Sequence, residues 1–226
     1  GVVNDPVIGI KDGIIAFVEA GRASLGAEQV IELKGSCLLP GFVDTHVHFI
    51  FGDCGTRDYE QVMSRDSNEI MLLRAAQNAL RHLKCGVTTA RDLGDRDATM
   101  VSLREAINRG ILQGPRLVVA GVPLTTTGGH FHFCHGEVDG EEEIRKKIRL
   151  LHKRGADLIK IMASGGTTRG SAQRQPSFTR AELRAIVSEA RRFQMPTSAH
   201  VHCTAAIEDC IETGVDCLEH VGFYDA

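Results

Sequence analysis

A chain of 226 residues, 42% of them hydrophobic, can bury one large core or two small ones. Lys and Arg number 26 against 29 Asp and Glu, a net charge of -3, which leaves no basic surplus to hold a phosphate backbone and excludes nucleic acid as an expected partner. The longest apolar runs, such as residues 117–122, are far shorter than a membrane span, so no membrane partner is expected either.

The first stretch reads as β structure. Residues 7–10 and 14–18 are apolar runs on either side of Lys11-Asp12-Gly13, and Asp-Gly is a hairpin turn signal. Residues 30–33 read as one more short strand. From Leu38 the pattern changes to strand, then helix, repeatedly. The strand at 41–46 precedes a helix whose apolar stripe is Leu72, Leu73, Ala76, Leu80 and Leu83. The strand at 87–90 precedes a helix over 98–108, and the strand at 116–120 precedes one opening at Asp139, with Glu142 at capping distance. The strand at 158–162 precedes a helix opened by the capping box Thr179-Arg180-Ala181-Glu182. The strand at 197–201 precedes a helix over 205–214 that turns Ile207, Cys210 and Ile211 inward, and the strand at 217–221 starts one further unit.

That is about six β/α units with short apolar strands, as parallel strands covered on both faces require. A (β/α)8 barrel of the TIM type needs eight. The expected α/β organisation is therefore part of a small β-sandwich domain over 1–37, then an incomplete barrel over 38–226. An open doubly wound sheet of six strands is the alternative. The seven cysteines form no Cys-x-x-Cys pair and are odd in number, so reduced thiols in the cytoplasm are expected rather than a disulfide framework or a zinc ribbon.

The chemistry concentrates at strand ends. His46 and His48 are two apart, and such residues of a strand project to one side, where two imidazoles can reach one cation. His200 and His220 each end a predicted strand. Lys160 interrupts an apolar strand, and a buried lysine is rare unless paired, modified or functional. In a barrel, the C-terminal strand ends converge on the face where active sites sit. Surface histidines with satisfied hydrogen bonds are the rival account of any one of these residues. Glu219, next to His220, is expected to point away from the site by strand alternation.

Leu39-Pro40-Gly41-Phe42-Val43-Asp44-Thr45-His46-Val47-His48 resembles the first-strand signature of the amidohydrolase superfamily. Ile159-Lys160-Ile161-Met162-Ala163-Ser164-Gly165-Gly166, Ser198-Ala199-His200-Val201-His202 and Leu218-Glu219-His220-Val221 follow in that family's order and spacing. Together they are similar to the imidazolonepropionase-like branch with its Xaa-Pro dipeptidases, zinc carboxypeptidases and ochratoxin-type amidases. The resemblance implies two divalent metal ions, zinc first among them, one on His46 and His48 and one on His200 and His220. It implies that carbon dioxide carboxylates Lys160 into a carbamate that bridges both, and that a bridging hydroxide attacks an amide or peptide carbonyl. The substrate would be a small molecule, a dipeptide or an N-acyl amino acid. A cyclic amidase such as imidazolonepropionase, and a non-catalytic scaffold or truncated product, are the alternatives; a homo-oligomer also stays open. His130, in Thr126-Thr127-Gly128-Gly129-His130, and Tyr224 resemble residues that contact a substrate carboxylate, and His202 shares the face of His200. The family's proton-transferring aspartate is expected beyond Ala226, with Asp44 and Asp92 poor substitutes, so the chain alone is expected to be inactive.

Overall fold

The computed structural model describes residues 2–21, 26–52 and 59–223, and the side chains of all of these except Tyr59 and Val62. The chain divides into two compact units, Gly1–Pro40 and Gly41–Ala226.

In the first unit, strands β1 (Pro6–Lys11) and β2 (Ile14–Ala20) pair antiparallel. Asp12 and Gly13 form the two-residue turn, with φ of 52° and 76°. Both values lie in the left-handed region that a type I′ hairpin demands, which explains the Asp-Gly sequence there. The strand expected at 30–33 does not form, and Val30 and Ile31 are both 72% exposed. An apolar run becomes a strand only where a neighbouring edge accepts its hydrogen bonds, and none of the described residues offers one to this run.

The second unit alternates strands and helices. Strand β3 (Phe42–Val47) leads to α1 (Tyr59–Arg65) and α2 (Asn68–Lys84), then β4 (Val87–Asp92), α3 (Thr99–Asn108) and β5 (Arg116–Val119). A single 3-10 turn at His132–Cys134 precedes α4 (Gly140–Arg154), β6 (Ile159–Met162), α5 (Arg180–Arg192), β7 (Thr197–Cys203), α6 (Thr204–Thr213) and β8 (Cys217–Phe223). The strands form two parallel sheets, in the orders β3-β4-β5 and β6-β7-β8. Leu124 lies between them in the chain. Its N–H donates to the Lys160 carbonyl and its own carbonyl accepts from Met162 N, both at 2.8 Å. This is the α/β, parallel-sheet organisation read from the strand–helix alternation.

Two apolar clusters cover the sheets. One packs Ile144, Ile148, Leu183 and Ile186 of α4 and α5 against Ile159, Ile161 and Val201. The other packs Met71, Ala75, Ala79 and Leu103 of α2 and α3 against Val47, Ala90 and Val119. The buried seam of α2 runs one position off the expected stripe, and Leu73 is 68% exposed. On α6, Ile207 and Cys210 are buried as expected, but Ile211 is 62% exposed. Thr179 and Glu182 form the expected capping box of α5. Asp139 does not cap α4; its carboxylate takes the Thr127 amide and hydroxyl instead. Among the described residues, no helix is long and apolar enough to cross a membrane.

Candidate active site

The parallel register decides which side chains meet. Lys160 pairs with Ser198, Met162 with His200, and Val201 with His220, so β6, β7 and β8 lie side by side; His200 and His220 fall within β7 and β8, which continue three residues beyond them rather than ending there as expected. His46 in β3 and His48 just beyond it project to the same side, their ring centroids 5.3 Å apart. His46 is 4.8 Å from His220, and His220 is 5.0 Å from His200, ring to ring. One cavity of about 240 Å³ is lined by His46, His48, Lys160, His200 and His220, and also by His130 and His202. Phe51, Phe131 and Met162 form its apolar wall. Every site residue expected from the sequence therefore lines this cavity except Tyr224, which lies outside the described residues.

Hydrogen bonds orient the rings. The Nδ1 of His48 lies 2.9 Å from the Gly94 carbonyl, which can only accept. The proton therefore sits on Nδ1 and the Nε2 lone pair is left free. His46 repeats the arrangement with a carboxylate: its Nδ1 is 2.9 Å from Glu219 Oε2. His200 is reversed, its Nε2 donating to the Gly165 carbonyl at 3.2 Å, which frees Nδ1. Burial, with the charge of Lys160 adding to it, pushes His46 down to about 4 and His48 to about 3. Burial, then the neighbouring His130, takes His200 to about 2. These imidazoles are neutral at pH 7. The Nδ1 of His202 is buried and without a hydrogen-bond partner among the described residues.

Lys160 is 1% exposed, and its amine has no hydrogen-bond or ion-pair partner among the described residues. Burial lowers it to about 7. Asp92, fully buried at the end of β4, accepts from Phe49 N at 2.8 Å and Gly94 N at 3.1 Å, so it holds the turn that carries His48. Glu219 corrects the alternation argument. It turns inward and accepts from Arg91 at 2.7 Å, Ser198 Oγ at 2.6 Å and His46. The reason is local: His220 and Val221 have φ of 71° and 50°, so β8 is not a regular extended strand at this point. A carboxylate beside a candidate ligand on an otherwise apolar strand is the signal that could have drawn attention to it.

The donor chemistry fits divalent ions. His46, His48 and His200 are neutral, each has one nitrogen anchored, and each keeps a lone pair on the other. The set lacks a free anionic oxygen, because Glu219 is engaged by Arg91, Ser198 and His46. Among the described residues, no three His, Cys, Asp or Glu side chains stand close enough together to hold an ion without such a ligand.

The loop after β6 closes one side of the cavity. Thr168 is 2% exposed, and its Oγ1 lies 2.7 Å from His130 Nδ1. Gly166 faces the His130 ring, where an added Cβ would sit 2.5 Å from Nε2, so only glycine fits without displacing the ring.

Comparison with known proteins places these features. Residues 37–226 match the amidohydrolase family. Ochratoxinase of Aspergillus niger is 34% identical over 248 aligned residues, which cover 96% of this chain and 50% of that protein. Imidazolonepropionase of Bacillus cytotoxicus is 39% identical over 61 residues, 26% of this chain and 14% of its own length. A crystal structure of a Xaa-Pro dipeptidase with methionine bound in its active site is 33% identical with a TM-score of 0.87, covering 96% of this chain and 57% of that one. The chain thus spans about half the length of the ochratoxinase and the dipeptidase it matches.

Proposed function

The chain belongs to the amidohydrolase family, and from that premise we propose that it serves a metal-dependent hydrolysis of an amide or peptide bond in a dipeptide or an N-acyl amino acid. The observation that carries this reading is the cavity itself: neutral, oriented imidazoles around a buried lysine that has no hydrogen-bond or ion-pair partner among the described residues. The resemblance to a Xaa-Pro dipeptidase supports a dipeptide. In this reading the two parallel sheets are six strands of a (β/α)8 barrel over 38–226, and residues 1–37 are part of a β-sandwich.

His46 and His48 would hold one ion, and His200 and His220 the other. Lys160, carboxylated to a carbamate, would supply the anionic oxygens that the set lacks. Two divalent ions, zinc first among them, would provide a hydrolytic nucleophile at neutral pH and polarise the scissile carbonyl. Gly94 and Glu219 fix the tautomers of His48 and His46, so their lone pairs need no reorganisation. Phe51, Phe131 and Met162 exclude water from one wall. His130, His202 and Tyr224 would contact the substrate. No residue of 1–226 is assigned to proton transfer.

Metal analysis tests the proposal. The intact protein should hold two zinc equivalents in the presence of bicarbonate, and Lys160→Ala should lose them. An intact protein that binds no metal overturns the reading. A panel of dipeptides and N-acyl amino acids then decides the substrate class.

A further inference from the structure

His130 and Thr168 are both almost fully buried, and a single hydroxyl serves two groups there. The backbone N–H of Phe131 donates to Thr168 Oγ1 at 3.2 Å, and His130 Nδ1 lies 2.7 Å from the same oxygen. A hydroxyl has one proton and two lone pairs. Were Nδ1 protonated, it and Phe131 N would fill both lone pairs, and the Thr168 proton would have no acceptor among the described residues. Leaving a buried hydroxyl proton unmade is the costly case. With Nδ1 bare, the Thr168 hydroxyl donates to it, Phe131 N donates to Thr168, and every group is satisfied. The second nitrogen, Nε2, must then carry the proton, on a ring that lines the cavity.

The position of Thr168 is itself secured. Ser171 Oγ donates to the Thr168 carbonyl at 2.8 Å and accepts from Gly166 N at 3.1 Å. The next amide, Arg169 N, donates to Glu60 Oε1 at 2.7 Å. The loop therefore brings a hydroxyl to one side of the imidazole and a glycine to the other.

We infer that Thr168 is a positioning residue whose hydroxyl locks His130 as the Nε2–H tautomer, a neutral donor that takes an acceptor oxygen of the substrate. This assignment rests on the proposed function in one respect: it takes the histidine cavity as the substrate site. It predicts selectivity for a ligand presenting a carboxylate or carbonyl oxygen at this point. A ligand presenting an N–H there would meet donor against donor and leave both unpaired.

Ring nitrogen-15 NMR of the intact protein tests it, with the His130 signals identified by their loss in His130→Gln. Wild type and Thr168→Ser should show a protonated Nε2 and a bare Nδ1, and Thr168→Val, of similar shape but without the hydroxyl, should lose that single-tautomer pattern. KM for N-acetylalanine should rise about tenfold in Thr168→Val, the size of one hydrogen bond to a charged group, and return in Thr168→Ser. A protonated Nδ1 in wild type, an unchanged pattern in Thr168→Val, or a Thr168→Ser that behaves like the valine variant overturns the inference. A protein that shows the expected tautomer but cleaves no amide overturns the proposed function instead, because the NMR measurement uses no substrate.

Discussion

Glu219 and Asp95 are buried carboxylates that their surroundings push in opposite directions. Burial alone would raise Glu219, but hydrogen bonds from Ser198, Cys217 and His46 and the charge of Lys160 bring it down to about 2. Burial dominates at Asp95 and raises it to about 7, against the amides of Met100 and Thr99. An unfolded aspartate titrates near ~3.9. Because the folded value is the higher one, the stabilising contribution of Asp95 is fully present below about 3.9 and lost as pH rises through about 7. Urea unfolding from pH 4 to pH 8 should show wild type losing stability relative to Asp95→Asn, by at most about 4 kcal/mol; parallel pH curves would refute this. If the proposed metal chemistry holds, Glu219→Gln removes the charge behind His46, and zinc affinity measured by chelator competition should fall by about 10–100-fold. Unchanged affinity would remove His46 from the proposed ligand set. The histidines were legible in the sequence because a spacing of two and a place on a short apolar strand are both visible there, although β7 and β8 run three residues past His200 and His220, which were expected to end their strands. Glu219 was not, because alternation assumes an extended chain, and the left-handed His220 and Val221 break it.

At the scale of elements, a signal is legible in the sequence where both of its partners lie within one turn of the chain, as at the start of α5. The capping box of α5 depends on two side chains three apart, and both take up their expected roles. The Asp139 cap failed because Thr127, twelve residues upstream, competes for the same carboxylate. The apolar stripes drifted because a helix shows only its own periodicity, while burial depends on the neighbour it faces. On α2 the packed seam is Met71, Ala75 and Ala79, where small side chains let the helix approach its sheet, and larger Leu73 faces outward. The same distinction makes α6 a direct test. Ile207→Ala, at a 2% exposed position, should cost about 2–5 kcal/mol in chemical denaturation. Ile211→Ala, four residues on and 62% exposed, should stay within about 0.5 kcal/mol. Equal losses would show that something covers Ile211 in solution.

For the whole molecule, alternation of strand and helix was enough to identify an α/β fold with parallel strands, because a parallel crossover needs a helix-length connection, but not that these strands fall into two three-stranded sheets. What lies between them was not visible. Leu124, five residues beyond the end of β5, lies in no regular strand, yet it hydrogen-bonds to β6 immediately beside Lys160. That lysine gives the fold a further property. A buried amine with no hydrogen-bond or ion-pair partner among the described residues opposes folding, and any reaction that turns it into a ligated anion relieves the opposition. Under the proposed chemistry, dissolved carbon dioxide and zinc together become stabilising ligands of the native state. The melting temperature of the intact protein should then rise with bicarbonate only when zinc is present, and Lys160→Met should abolish that dependence. Folding would in this way be linked to an atmospheric gas: the same carbon dioxide that completes the site would also determine how much of the chain stays folded.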